Sequence, residues 1–138
     1  MKTQAAVHNS LAGLYLETRQ LKLAADHSQA ATRIGEHTRD EAAQCDSLTT
    51  MAEIQWLTGR ADEALPTVHT ALRISEKIGD SYRRAHALTV LAELLVAAGR
   101  PDEAAPACAA ALQISTHLEG TDAQRLRDRI AAVQAGLS

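Results

Sequence analysis

The chain has 138 residues, 46% of them hydrophobic and 22% charged, with a net charge of −3, so a folded domain is expected and a disordered one is not. That mild negative charge excludes a basic field for direct nucleic-acid binding or a polybasic membrane patch. No signal-peptide run opens the chain and no stretch of about 18 apolar residues could span a bilayer, which points to a cytoplasmic setting. Ala supplies about a fifth of the residues and Phe is absent, with Ala, Leu, Gln, Glu and Arg abundant, so the composition leans to an all-α fold.

Taken in chain order, the sequence repeats with a period of 40 residues and no gap. Leu11-Ala12, Met51-Ala52 and Leu91-Ala92 are in register, as are Ala24, Ala64 and Ala104, then Ala31, Ala71 and Ala111, then Ile34, Ile74 and Ile114. Each unit predicts two helices. In the first, positions 8, 11, 12 and 15 and their equivalents share one helical face, as in Leu88, Leu91, Ala92 and Leu95. Gly59 and Gly99 end that helix as left-handed caps, and Asp62-Glu63 and Pro101-Asp102-Glu103 open the next. The second helix buries Ala64, Val68, Ala71 and Ile74, mirrored by Ala104, Cys108, Ala111 and Ile114. Helices are predicted over 2–18, 20–37, 41–58, 61–77, 81–98, 101–117 and 122–136. The last opens with Thr121 and Gln124 in capping-box spacing and sets Leu126, Ile130, Val133 and Leu137 on one face. The expectation is one domain over 1–138: repeats 1–40, 41–80 and 81–120, then a closing helix, 121–138.

Unit one departs from the pattern. Arg19 stands where the turn glycine belongs, and Lys22-Leu23 replaces the acidic pair. It reads as a worn cap, or as the scar of an array that continues upstream.

The runs Leu91-Ala92…Gly99-Arg100…Glu103-Ala104…Ala111-Leu112 and Met51-Ala52…Gly59-Arg60…Glu63-Ala64…Ala71-Leu72 resemble the tetratricopeptide repeat consensus. The 40-residue length, with Gly-Asp before the next helix, is similar to long repeats of bacterial signalling ATPases and antibiotic-production regulators, and of animal G-protein-signalling adaptors. The resemblance implies a right-handed superhelix of three helix–turn–helix units, a closing helix, and a concave groove lined by the first helices. It further implies a protein or peptide partner; no cofactor is expected, and Cys45 and Cys108, far apart and outside any CxxC pair, indicate neither a zinc site nor a disulfide framework.

The groove positions that the resemblance carries over are Asn9, Leu16 and Glu17 in unit one, with Ala6 and Gly13. Asp46, Thr49, Glu53, Trp56 and Leu57 are those of unit two, and His86, Thr89, Glu93, Val96 and Ala97 those of unit three. Glu17, Asp46, Glu53 and Glu93 make the stripe acidic, with no Lys or Arg on it before Arg129, and Leu16, Trp56 and Val96 run beside them. The expected partner is therefore a segment with basic residues flanking an apolar anchor seated on Trp56. The plainer alternatives are a solvated acidic face and a Trp56 that only fills core. Glu53 and Glu93 stand where carboxylate-gripping members of the family need cationic or amide groups, which argues against that role.

A structural spacer or self-association segment of a larger protein is the alternative function. An enzyme is the remote one: Cys45 and His86 fall in adjoining positions of neighbouring first helices, as a nucleophile and base would, but with no third orienting group. Cys45 and Cys108 otherwise read as small buried apolar residues. His37 and His117 share one position at opposite ends of the array, too far apart to hold a metal together.

Overall fold

A computed structural model describes residues 3–137. Seven helices follow one another: α1 (Gln4–Glu17), α2 (Leu21–Thr38), α3 (Glu41–Leu57), α4 (Ala61–Ile78), α5 (Ser81–Ala97), α6 (Pro101–Ser115) and α7 (Thr121–Leu137). The predicted boundaries agree to within two residues at each end. Residue 2, where the first helix was expected to begin, lies outside the described residues. No helix is long and apolar enough to cross a membrane among those described.

The caps repeat with the sequence. Asp40 and Asp80 each accept a bond from the backbone N–H three residues on, Ala43 at 3.0 Å and Arg83 at 2.9 Å, and so start α3 and α5. Thr3 does the same for α1 through the Ala6 N–H. Between the two helices of a unit the chain turns through the left-handed region, at Gly59 (φ 80°) and Gly99 (φ 76°). Arg19 holds the same conformation at φ 61°, so unit one keeps the turn without the glycine. The capping box expected at Thr121 and Gln124 does not form: α7 already includes Thr121, and the Gln124 amide bonds to Asp128 instead.

Packing is sequential. Each helix lies against the next, and α1, α3, α5 and α7 also touch in a row. The close approaches run through the alanines, since Ala12, Ala52 and Ala92, Ala24, Ala64 and Ala104, and Ala31, Ala71 and Ala111 are all fully buried. One predicted position shifts. Ser75 and Ser115 are fully buried while Ile74 and Ile114 are half-buried, so the innermost place is position 35 of the unit rather than 34. At Gly35, the equivalent in unit one, an added Cβ would meet Gln44 Cγ at 3.0 Å and the Asp40 carbonyl at 3.2 Å. Small residues are needed there because the second helix crosses the start of the next unit.

The main core gathers units two and three and α7, including Val68, Leu88, Leu91, Leu95, Leu126 and Ile130; a smaller cluster of Leu16, Ala24 and Ile54 serves unit one. Leu14 is 54% exposed and Val7 45% exposed, whereas their equivalents Ile54, Leu94, Ser47 and Ala87 are buried. In units two and three the preceding unit covers this side of the first helix. At the other end, Arg127 donates to the carbonyls of Ser115 and Leu118 at 2.7 and 2.9 Å, joining α7 to the end of α6.

Candidate functional site

The row α1, α3, α5 and α7 forms a face on which the first-helix side chains meet those of the next unit. Two adjoining pockets open on it, sharing Arg19, Glu53 and Arg129. One, of about 280 Å³, adds Trp56, Leu57, Val90, Glu93 and Leu94; the other, of about 510 Å³, adds Gly13, Leu16, Glu17, Thr50 and His86. Trp56 is half-buried: it packs against the main core and also walls the smaller pocket. Leu16 belongs to the larger pocket, and Val96 packs against the core outside both. Eight of the expected groove residues thus line the two pockets, while Val96 packs on the core, so Leu16, Trp56 and Val96 do not form one strip.

Three of the four carboxylates of the acidic stripe are already paired. Arg83 forms two parallel bonds to Asp46, both 2.9 Å, and a third to Asp80 at 2.6 Å. Such a fork holds a carboxylate in fixed orientation. Arg129 reaches back from α7 to Glu93 at 2.6 Å and stands 3.7 Å from Glu53. The expectation of a stripe free of positive charge across three repeats is thus corrected, because Arg83 enters it from position 3 of its unit. Of the four carboxylates, Glu17 alone is exposed.

Burial dominates the titration of these groups. It raises the Asp46 carboxyl, against the bonds from Arg83, and raises Glu53, against the Arg129 charge. It opposes the charge of Arg129, yet the bond to Glu93 and the charges of Glu53 and Glu93 hold that guanidinium above its ordinary value. His86 is pushed down to about 4 by burial and by the charges of Arg129 and Arg83, so it stands neutral in the wall of the larger pocket.

Two expected groove residues are corrected. Thr49 and Thr89 are each only 1% exposed, and their hydroxyls donate to the carbonyls of Cys45 and Ala85, four residues back. A threonine at this position faces the neighbouring helix and satisfies itself locally. Asn9, in the same position of unit one, donates its amide to the Ala43 carbonyl at 3.2 Å and so ties α1 to the start of α3. Arg129 is the fourth member of that series, and its longer side chain is what reaches the pocket. The 40-residue register locates it; the register gives no sign of Arg19, which lies in a turn.

Catalysis by Cys45 finds no support in its surroundings. Burial, then the Asp46 charge, pushes the thiol up to about 12, and its Sγ donates to the Ala71 carbonyl at 3.3 Å. Such a thiol is not a nucleophile near neutral pH. Among the described residues, no three His, Cys, Asp or Glu side chains converge on a metal position.

No curated protein matches the chain. The tetratricopeptide repeat family model matches residues 43–117, more than half of the chain, from the first turn of α3 through α6 to just past its end. That span holds the two units whose caps, alanines and turn glycines repeat most closely. Helical repeats of this type mediate protein–protein contact, and the chain belongs to the tetratricopeptide repeat family.

Proposed function

We propose that this is a protein- or peptide-binding module that takes its partner on the face formed by α1, α3, α5 and α7. The observation that carries the reading is Trp56, a large aromatic that walls an open pocket with Leu57, Val90 and Leu94 while charged groups ring the rim. Aromatic anchors in such settings contribute most to binding, because they bury a large area at small entropic cost. The partner is a segment with an apolar side chain for this pocket and a basic group for Glu17. Since Arg83 and Arg129 already occupy the other three carboxylates, the apolar contact outweighs the electrostatic one. Each exposed charge pair contributes only about 0–1 kcal/mol.

The whole chain acts as one domain, a right-handed superhelix whose first helices line the concave side. The resemblance to long repeats of bacterial regulators supports a regulatory or scaffolding segment, working in the cytoplasm. A second reading, a structural spacer, is favoured by the same ion pairs, because a stripe neutralised from within has less to offer a partner. Trp56, the chain's single tryptophan, decides between them. Peptides of varied charge with one central aromatic or aliphatic residue are titrated while Trp56 emission is followed. The binding reading expects apolar-anchored basic peptides to shift the emission and to lose most of their affinity in Trp56→Ala. Emission unchanged by every peptide, with no binding by calorimetry, leaves the spacer.

A further inference from the structure

We propose that His8 and His27 form a two-imidazole chelate for a late divalent transition-metal ion, copper(II) or nickel(II) in preference to zinc(II). His8 lies on α1 and His27 on α2, and their Nδ1 atoms are 2.9 Å apart across the helix pair. The ring centroids are 5.1 Å apart with 31° between the planes. Two neutral imidazoles held this way share one proton, with one Nδ1–H donating to the lone pair of the other Nδ1. A metal ion takes the place of that shared proton. The donating ring then carries its hydrogen on Nε2, so the neutral pair offers two lone pairs without losing a proton.

The separation selects the ion. With metal–nitrogen bonds of about 2.05 Å, two nitrogens 2.9 Å apart subtend about 90° at the metal. That is the cis angle of the square-planar and tetragonal sites that copper(II) and nickel(II) favour. A tetrahedral zinc(II) ion would need the nitrogens about 3.3 Å apart. Tyr15 stacks on His27, with centroids 5.5 Å apart and planes within 13°, and so steadies one ligand from its face. His8, whose ring has no such stacking partner in Tyr15, adjusts by a small rotation about χ2, a broad and soft torsion for histidine, so that its lone pair turns toward the ion with the nitrogens kept close to this separation. Both histidines are half-buried, which leaves the outer coordination positions to solvent.

The pair belongs to unit one alone. The same two positions hold Leu48 and Thr67 in unit two, and Leu88 and Ala107 in unit three. Unit one has the smaller core cluster, so a metal pinning α1 to α2 would supply a cross-link where apolar packing is thinnest. An ion that binds the folded pair and not the unfolded chain stabilises the fold in proportion to its occupancy.

The test adds copper(II), nickel(II) and zinc(II) chlorides separately to the purified chain, read by calorimetry, thermal unfolding and, for copper, electron paramagnetic resonance. The expected result is one ion per chain, copper(II) and nickel(II) tighter than zinc(II), a raised Tm reversed by chelator, and a copper spectrum showing two equivalent nitrogens. His8→Leu and His27→Ala each install a residue that another unit carries at that position, so both have a precedent for folding within this chain. Each should weaken copper(II) and nickel(II) about ten-fold or more and abolish the Tm rise, while His37→Ala leaves both intact. Unchanged affinity in either His8→Leu or His27→Ala, equal loss in His37→Ala, or zinc(II) binding tightest would overturn the proposal.

Discussion

Leu14 and Leu94 occupy the same position of their units and meet opposite surroundings. Leu94 is 4% exposed because unit two lies against α5, whereas Leu14 projects from α1 with about half its surface in water. Truncating Leu94 to Ala removes buried methyl groups and leaves a cavity, for an expected loss of about 2–4 kcal/mol. Leu14→Ala should cost less than about 0.5 kcal/mol, and urea denaturation of the two variants checks the contrast. Backbone conformation gives a second comparison. Arg39 (φ 56°) holds the left-handed conformation that Gly79 (φ 66°) holds one unit later. A Cβ is disfavoured in that region, so Arg39→Gly should stabilise the chain by about 0.5–1 kcal/mol, after the added freedom of the unfolded glycine is counted. A lower urea midpoint for that variant would mean that the Arg39 side chain contributes more than its backbone loses.

At the scale of the element, the helices are held apart by very little. Ala64 and Ala104 open the buried stripes of α4 and α6, and both are fully enclosed. Ala64→Leu or Ala104→Leu must push two helices apart or force side chains off their rotamers, with an expected cost of about 1–3 kcal/mol. Neutral behaviour at both sites, measured by thermal or urea unfolding, would contradict this packing. The elements were legible in the sequence because such positions recur every 40 residues, and because Gly59, Gly99 and the acidic pairs Asp62-Glu63 and Asp102-Glu103 carry local signals that need no tertiary context. Position 35 was missed for a related reason. Its residues are Gly35, Ser75 and Ser115, and a hydrophobic pattern passes over them in favour of the adjacent isoleucines. Helix crossing selects for size there, and polarity is met by a local bond, as Ser75 and Ser115 each donate to the carbonyl three residues back.

Across the whole molecule the charges are arranged between units, Arg83 on α5 reaching Asp46 on α3 and Arg129 on α7 reaching Glu93 on α5. This explains why the candidate site was only partly legible. The positions carried over from the family resemblance bring Glu53, Trp56 and Glu93 together around one pocket, but which carboxylates stay free depends on the reach of an arginine some 36 or 37 residues away. Those two arginines also add to the acid response of the fold. Burial, and then the charges of Arg129 and Arg83, lower His86 from an ordinary 6.5 to about 4, so between these limits the unfolded chain binds a proton at this residue that the folded chain does not. Stability from His86 is therefore complete above about pH 6.5 and is lost as the pH falls toward 4. Asp46 and Glu53 act in the opposite sense: their carboxyls are raised on folding, so they take up protons more readily in the folded chain. Comparing the wild type with His86→Gln isolates the histidine, since glutamine is polar and does not titrate. The wild type should lose about 1–3 kcal/mol more than the variant between pH 7 and pH 4.5 in urea unfolding. Parallel stability curves for the two proteins would show that His86 is protonated in the folded chain as readily as in the unfolded one.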